Sequence, residues 1–300
     1  MNLEELEKLR IKGIKYKRIF GIIPIIISLI VIIPLIIMGY SFSTIFNGNI
    51  WIFLPSILVI SFFILLVAYA VGKTLSLEKL NDYYKAINNY IFNNYPNYIV
   101  GNGSFNNQLK LPEEYTNKIF GENNKFFTVK NEGVITGNFF GPMIMSNILV
   151  NYDISEGRGN GRYHIINGLW ITCTLNKSYP YDLMIIKGHM LKDYLKVDTN
   201  YVRVGIDNSK YNELLTIYSN NREEVRSMFT SEFITALDNM IEKFGRNMIL
   251  LISNNQLHLA LDCDMFNNYN YKQPFDLNNC ILKYQERLKP IFDFIKIIGE

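Results

Sequence analysis

The sequence predicts an α+β cytoplasmic domain with an N-terminal two-helix transmembrane hairpin, and three observations predict it. Residues 19–72 hold no Asp, Glu, Lys, Arg or His, in a chain of 300 residues of which 19% are charged. Inside that gap two runs, 19–40 and 50–72, each reach the roughly 20 apolar residues that cross about 30 Å of hydrocarbon. Beyond residue 73, strand patterns of period two mix with segregated amphipathic helices, which points to α+β rather than to a parallel α/β sheet.

The chain therefore divides into a basic cytoplasmic N-terminus at 1–18, a hairpin at 19–72 and a cytoplasmic α+β domain at 73–300. Lys8, Arg10, Lys12, Lys15, Lys17 and Arg18 stand against Glu4, Glu5 and Glu7, so the first segment already carries the net charge of +3 and the rest sums to zero. That balance leaves no basic excess to engage nucleic acid. Leu3, Leu6 and Leu9 recur at helical spacing ahead of the cations, a pattern that suits a helix lying beside anionic lipid.

The two spans are joined by residues 41–49, largely polar and uncharged. A helix in the core of a water-soluble protein shows one polar face, and residues 22–38 show none. The first run is too long for the apolar part of a signal peptide, and a second comes after it. Pro24, Pro34 and Pro55 are tolerated in lipid because neighbouring groups re-satisfy the freed carbonyls. Tyr40 and Trp51 mark one interface and Tyr69 the other. Lys and Arg resist translocation, so the cations before Ile19 and Lys73 and Lys79 after the second span hold both ends inside. The expected location is the cell membrane, multi-pass, with the main domain in the cytoplasm. Spans without ionisable groups suit an anchor better than an ion path.

The domain opens with a helix over 77–95, capped by Ser76, with Leu77, Leu80, Tyr84, Ile87 and Ile91 on one face and Pro96 at its end. Asn and Gly then cluster over 97–107 as loop, and Pro112 starts a short helix reaching Ile119. KFFTV and GVITG flank Lys130, Asn131 and Glu132 as a hairpin. MIMSNILVNYDI is a strand, and EGRGNGRYHI a Gly-rich connection. In GLWITCTL, Leu169, Ile171, Cys173 and Leu175 share one face, and Trp170, Thr172 and Thr174 the other. Residues 181–186 and 201–206 are further strands. Thr230 or Ser231 starts an amphipathic helix with Phe233, Leu237, Met240, Ile241 and Phe244 inward, ended by Gly245. MILLIS and QLHLALDC form a hairpin about Asn254 and Asn255, since Asn tolerates the positive φ of a tight turn. The last helix covers 277–298, and Pro290 removes a hydrogen bond and kinks it near Glu286.

Little of this is chemistry. Gly72, Lys73 and Thr74 end like a phosphate loop, but its first glycine would fall at Val67 and no strand precedes it. The run Gly157, Arg158, Gly159, Asn160, Gly161, Arg162 reads first as a hairpin loop; if it binds an anion, Arg158 and Arg162 are the residues that do so. His164, His189 and His258 have no metal-ligand spacing, and His258 and Asp262, on one strand face, lie about 13 Å apart. No nucleophile, base and orienting group assemble locally. Cys173, Cys263 and Cys280 are odd in number and widely spaced, and read as thiols in a reducing compartment. No metal and no cofactor is expected.

Three segments carry a resemblance: INGLWITCTLNKSYPYDLMIIKG, LLTIYSNNREEVRSMFTSEFITALDNMIEKF and MILLISNNQLHLALDCDMF. Together they resemble a bacterial membrane-anchored family known as a domain of unknown function, DUF3137. Gly168 matches the family's Phe-Lys-Gly-like entry, which here reads Ile166, Asn167, Gly168. Tyr218, Ser219, Glu224 and Arg226 match its Tyr-Ser-x-Asp-x-x-Glu-Ala-Arg, with Asn221 in place of Asp and Val225 in place of Ala. The resemblance implies membrane helices followed by a cytoplasmic α+β domain, and no reaction. The expectation is a membrane-anchored interaction or scaffold domain, with membrane lipids and a protein at the membrane as partners. The alternative is a membrane-bound, hydrolase-like enzyme whose site is assembled from distant residues.

Overall fold

A computed structural model of the chain describes residues 2–300 except 46–49, 100–102, 107, 121–126, 132, 155–160, 189–190, 192–194, 196–199, 207–208, 245 and 264–270. The chain forms two compact units, one of Met1–Asn88 with Tyr269–Phe275, the other of Asn89–Asn268 with Asp276–Glu300.

The first unit is built on α1 (Leu3–Ile45) and most of α2 (Ile50–Asn94). Helix α1 starts where two orphan N–H groups are satisfied reciprocally: Glu5 N donates to Asn2 Oδ1 and Asn2 N to Glu5 Oε2, both at 2.9 Å, the arrangement of a capping box. Leu6, Arg10 and Gly13 are buried along one side of it.

These helices correct the predicted two-helix transmembrane hairpin. Among the described residues no helix is long and apolar enough to cross a membrane. The apolar runs at 19–40 and 50–72 are not separate, hydrocarbon-length elements. Helix α1 takes in the charged residues from Glu4 to Arg18, and α2 passes through Lys73 and Asp82 before it ends. At about 1.5 Å per residue each helix is roughly 65 Å long, so apolar and charged stretches share one continuous rod. The separate helix expected over 77–95 is likewise the end of α2, since nothing around Ser76 interrupts it. Of the expected loop at 41–49, residues up to Ile45 are helical and 46–49 lie outside the described residues.

The rest of the chain runs α3 (Pro96–Ile99), β1 (Ser104–Asn106), α4 (Glu113–Phe120), β2 (Phe127–Asn131), β3 (Val134–Asn138), β4 (Pro142–Ile154), β5 (Gly161–Thr174), β6 (Leu183–Lys187), β7 (Val202–Val204), α5 (Ser209–Leu214), β8 (Leu215–Ser219), α6 (Arg222–Met228), α7 (Ser231–Phe244), β9 (Met248–Ser253), β10 (Gln256–Asp262) and α8 (Leu277–Gly299). The strands join in one sheet in the order β1-β3-β4-β5-β10-β9-β6-β8-β7, with β2 also on β4. Every pairing is antiparallel, so the α+β expectation holds for this part of the fold.

Two long strands organise the sheet. β4 and β5 pair from Met143 with Cys173 to Ile154 with Gly161, with a bulge between Val150 and Asn151. The predicted hairpin of β2 with β3 does not form. Both strands pair with β4, β2 against 148–152 and β3 against 142–145, and so lie end to end along it. The interruption has a physical cause. Gly133 takes φ +76°, a conformation that costs glycine little, and its carbonyl accepts a bond from the buried Ser146 hydroxyl at 2.6 Å. The hairpin of β9 and β10 forms as predicted, with Asn254 at φ 55°.

Both faces of the central sheet are covered. Trp170, Ala260, Ile249, Leu251, Ile186 and Met184 form one core layer with Ile119 and Phe120 of α4. The opposite parity, including Leu169, Ile171, Cys173, Leu257 and Leu259, is also buried. The C-terminal end of α8 reaches this second side, where a Cβ on Gly299 would lie 3.7 Å from Leu175, and Phe233 of α7 meets Phe294 of α8 with ring centroids 5.4 Å apart.

Candidate functional site

The far end of the β4–β5 hairpin holds one of the two arginines singled out in the sequence. Arg162 donates from Nε to Asp153 Oδ1 at 2.6 Å and from Nη2 to Oδ2 at 3.4 Å. Thr128 of β2 donates to the same carboxylate at 3.0 Å. Arg162 holds the Asp153 carboxyl below its ordinary range. The Arg162 guanidinium is therefore engaged within the sheet edge. Arg158 lies outside the described residues, as does most of the Gly-rich loop. Next along β5, His164 Nδ1 lies 2.5 Å from Oδ1 of Asn151, which is buried at the bulge. His164 itself is exposed.

His258 lies elsewhere, in the middle of the sheet. Its register partners are Thr172 on β5 and Leu251 on β9. Trp170 Nε1 donates to Thr172 Oγ1 at 2.9 Å, and Thr172 Oγ1 lies 3.1 Å from His258 Nδ1. The ring lies beneath α4, its centroid 5.1 Å from that of the Tyr115 ring and tilted 53° to it. Its Nε2 is buried and has no hydrogen-bond partner among the described residues. Burial, and secondarily the charge of Lys118, push its pKa down to about 4. Such an imidazole is buried and neutral near pH 7. His164 and His258 do not converge, and His189 lies outside the described residues. The thiols of Cys173 and Cys280 are buried, and burial raises both, Cys280 to about 11. Among the described residues no group of acids, histidines and cysteines could hold a metal ion.

The residues of the resemblance act on the backbone. Asn221 is the N-cap of α6 and accepts from Glu224 N at 3.3 Å, a role that Asp fills equally well. Ser219 is fully buried, donates to the Asp182 carbonyl at 2.6 Å and accepts from Asn221 N at 3.0 Å. Arg226 donates to the Gly205 carbonyl at 3.3 Å rather than pairing with Glu223. Gly168 is required by close approach: a Cβ there would meet Leu261 O at 2.3 Å and Cys263 N at 2.5 Å.

Among the described residues of this unit, an open groove of about 880 Å³ lies between α7 and α8. Ala236, Pro290 and Ile297 line it with Glu242, Lys243 and Glu286. Pro290 has no N–H for the Glu286 carbonyl four residues before it, and Lys243 Nζ from α7 donates to that carbonyl instead. The sequence signalled the interrupted bond, but nothing local to α8 pointed to Lys243, which stands 43 positions earlier.

Residues 164–299 match the family described as "Protein of unknown function (DUF3137)", which bears out the resemblance over that part of the chain. No curated protein matches the chain. Among solved structures, the crystal structure of the mycobacterial trehalose monomycolate transport factor A, TtfA, is similar at 13% identity and a TM-score of 0.27, over 54% of this chain and 74% of that one.

Proposed function

We propose, for a chain whose residues 164–299 carry this domain of unknown function, an interaction or scaffold protein that works at the cell membrane with its sheet domain in the cytoplasm. The observation that carries the reading is apolar exposure on α1 and α2: Ile30 is 64% exposed, Ile37 60%, Phe62 66% and Phe63 68%. A protein in water rarely leaves a large contiguous apolar patch uncovered, and lipid acyl chains are a cover of matching chemistry. The cations of residues 1–18 suit the cytoplasmic side, because the leaflet that faces it carries the anionic lipids that attract Lys and Arg. The sheet domain has both faces covered, and its α7–α8 groove, mixed in charge and floored by apolar side chains, suits a protein partner.

The test is fractionation of cells expressing the full chain. The reading expects the protein to stay with washed membranes at high salt and to leave only with detergent. Recovery of the intact chain as a monodisperse species in detergent-free supernatant overturns it.

A further inference from the structure

We infer that one side of α1 is a reader of anionic lipid headgroups, formed by Lys8, Lys12 and Lys15; the inference rests on the membrane reading above. At about 100° per residue these three lysines fall within roughly 60° of one another around the helix. All three are exposed. Among the described residues none of them pairs with a carboxylate; Lys12 lies 6.0 Å from the Tyr16 ring of its own helix.

The same stripe continues without a break into Ile19, Ile22, Ile26, Ile33 and Ile37, each of them exposed. The spacing four, three, four, three, four runs from Lys8 to Ile26, so cationic and apolar side chains share one line. A surface that is basic at one end and apolar along the rest matches the boundary of a lipid leaflet, where charged headgroups adjoin hydrocarbon. A free phosphate or a nucleic acid would meet the lysines but leave the apolar line uncovered. Glu4 and Glu5 lie at the outer end of this side, with Glu5 engaged by Asn2 N, so the cations stand between them and the apolar run.

Two other cations of α1 are placed differently. Arg10 and Lys17 lie roughly opposite the stripe. Arg10 pairs with Glu7 and donates to the Tyr271 carbonyl at 3.1 Å, while Lys17 bonds the Tyr271 hydroxyl and lies 4.5 Å from its ring centroid. Tyr271 belongs to the segment Tyr269–Phe275 of the same unit. One side of the helix is thus held by its own chain, which fixes the rotation that presents Lys8, Lys12 and Lys15 outward.

The experiment is flotation of the full chain with vesicles of phosphatidylcholine alone and of an equal mixture with phosphatidylglycerol. The expected result is tighter binding to the mixture, by on the order of a hundredfold, shrinking as salt is raised. Lys8→Gln, Lys12→Gln and Lys15→Gln together should abolish the preference while leaving binding to phosphatidylcholine and the helical circular dichroism unchanged. Lys110→Gln, Lys130→Gln and Lys283→Gln together, an equal loss of charge elsewhere, should leave the preference intact. Equal binding of the unaltered protein to both vesicles, or a preference that survives the first triple substitution, overturns the inference and leaves the membrane reading standing. Binding to neither vesicle overturns both.

Discussion

At pH 7 the His258 imidazole is neutral because burial disfavours its cation, and that state has a measurable consequence. Its pKa in the folded chain, about 4, lies below the ordinary 6.5. Between those values the unfolded chain takes up a proton that the folded chain does not, so the group's contribution to stability falls as the pH falls. Across that interval the loss is on the order of 3 kcal/mol. Melting curves in detergent should show the unaltered protein losing stability relative to His258→Gln as pH drops from 6.5 to 4; parallel curves would refute the assignment. Gly168 offers a second test. An added Cβ would press on the backbone of Leu261 and Cys263, atoms that cannot swing aside, so Gly168→Ala should cost about 3 kcal/mol or more. Gly205, where the nearest atom lies at 4.0 Å, should accept alanine with little change in melting temperature. Neither constraint was legible in the sequence. The alternation of β5 put Trp170 and Thr172 on one face, but only the register of β5 with β10 brings Thr172 to His258 and Gly168 to Asp262.

Elements read well wherever the local signal was strong. The amphipathic α7, the β9–β10 turn and the long α8 lie close to where the periodicity put them. They were misread where a neighbour decided. β2 and β3 are close in sequence and look like a hairpin, yet each pairs with a different stretch of the 13-residue β4. The α7–α8 pair carries the prediction at this scale. Lys243→Met removes the donor to the Glu286 carbonyl and should cost about 1 kcal/mol. In a Pro290→Ala background the restored backbone N–H recaptures that carbonyl, and the same substitution should become nearly neutral. A double-mutant cycle by thermal denaturation measures the difference; additive costs would show that the ammonium does not serve the carbonyl.

Across the whole molecule the dominant fact is how unequally apolar surface is distributed. The sheet hides apolar side chains on both faces, while the described apolar side chains of residues 22–71 in α1 and α2 are exposed. In detergent-free buffer this surface should drive self-association. Ile26→Glu with Ile33→Glu should shift the full chain toward lower mass in static light scattering, whereas the same two charges placed at exposed Asn278 and Asn279 should not. The sequence by itself determined the charge-free run, the placement of the cations ahead of it, the α+β character of the remaining chain and the positions of its strongest turns and helices, because these depend on side-chain chemistry and on periods of two and 3.6 residues that any stretch of chain carries locally. Only the tertiary structure decided that the apolar runs are parts of two long continuous helices, that β2 and β3 share β4, that His258 is sealed beneath α4 and that Lys243 answers Pro290. The last three depend on which distant segment arrives to take a hydrogen bond or cover a face, and a distant partner leaves no mark on the residues that wait for it.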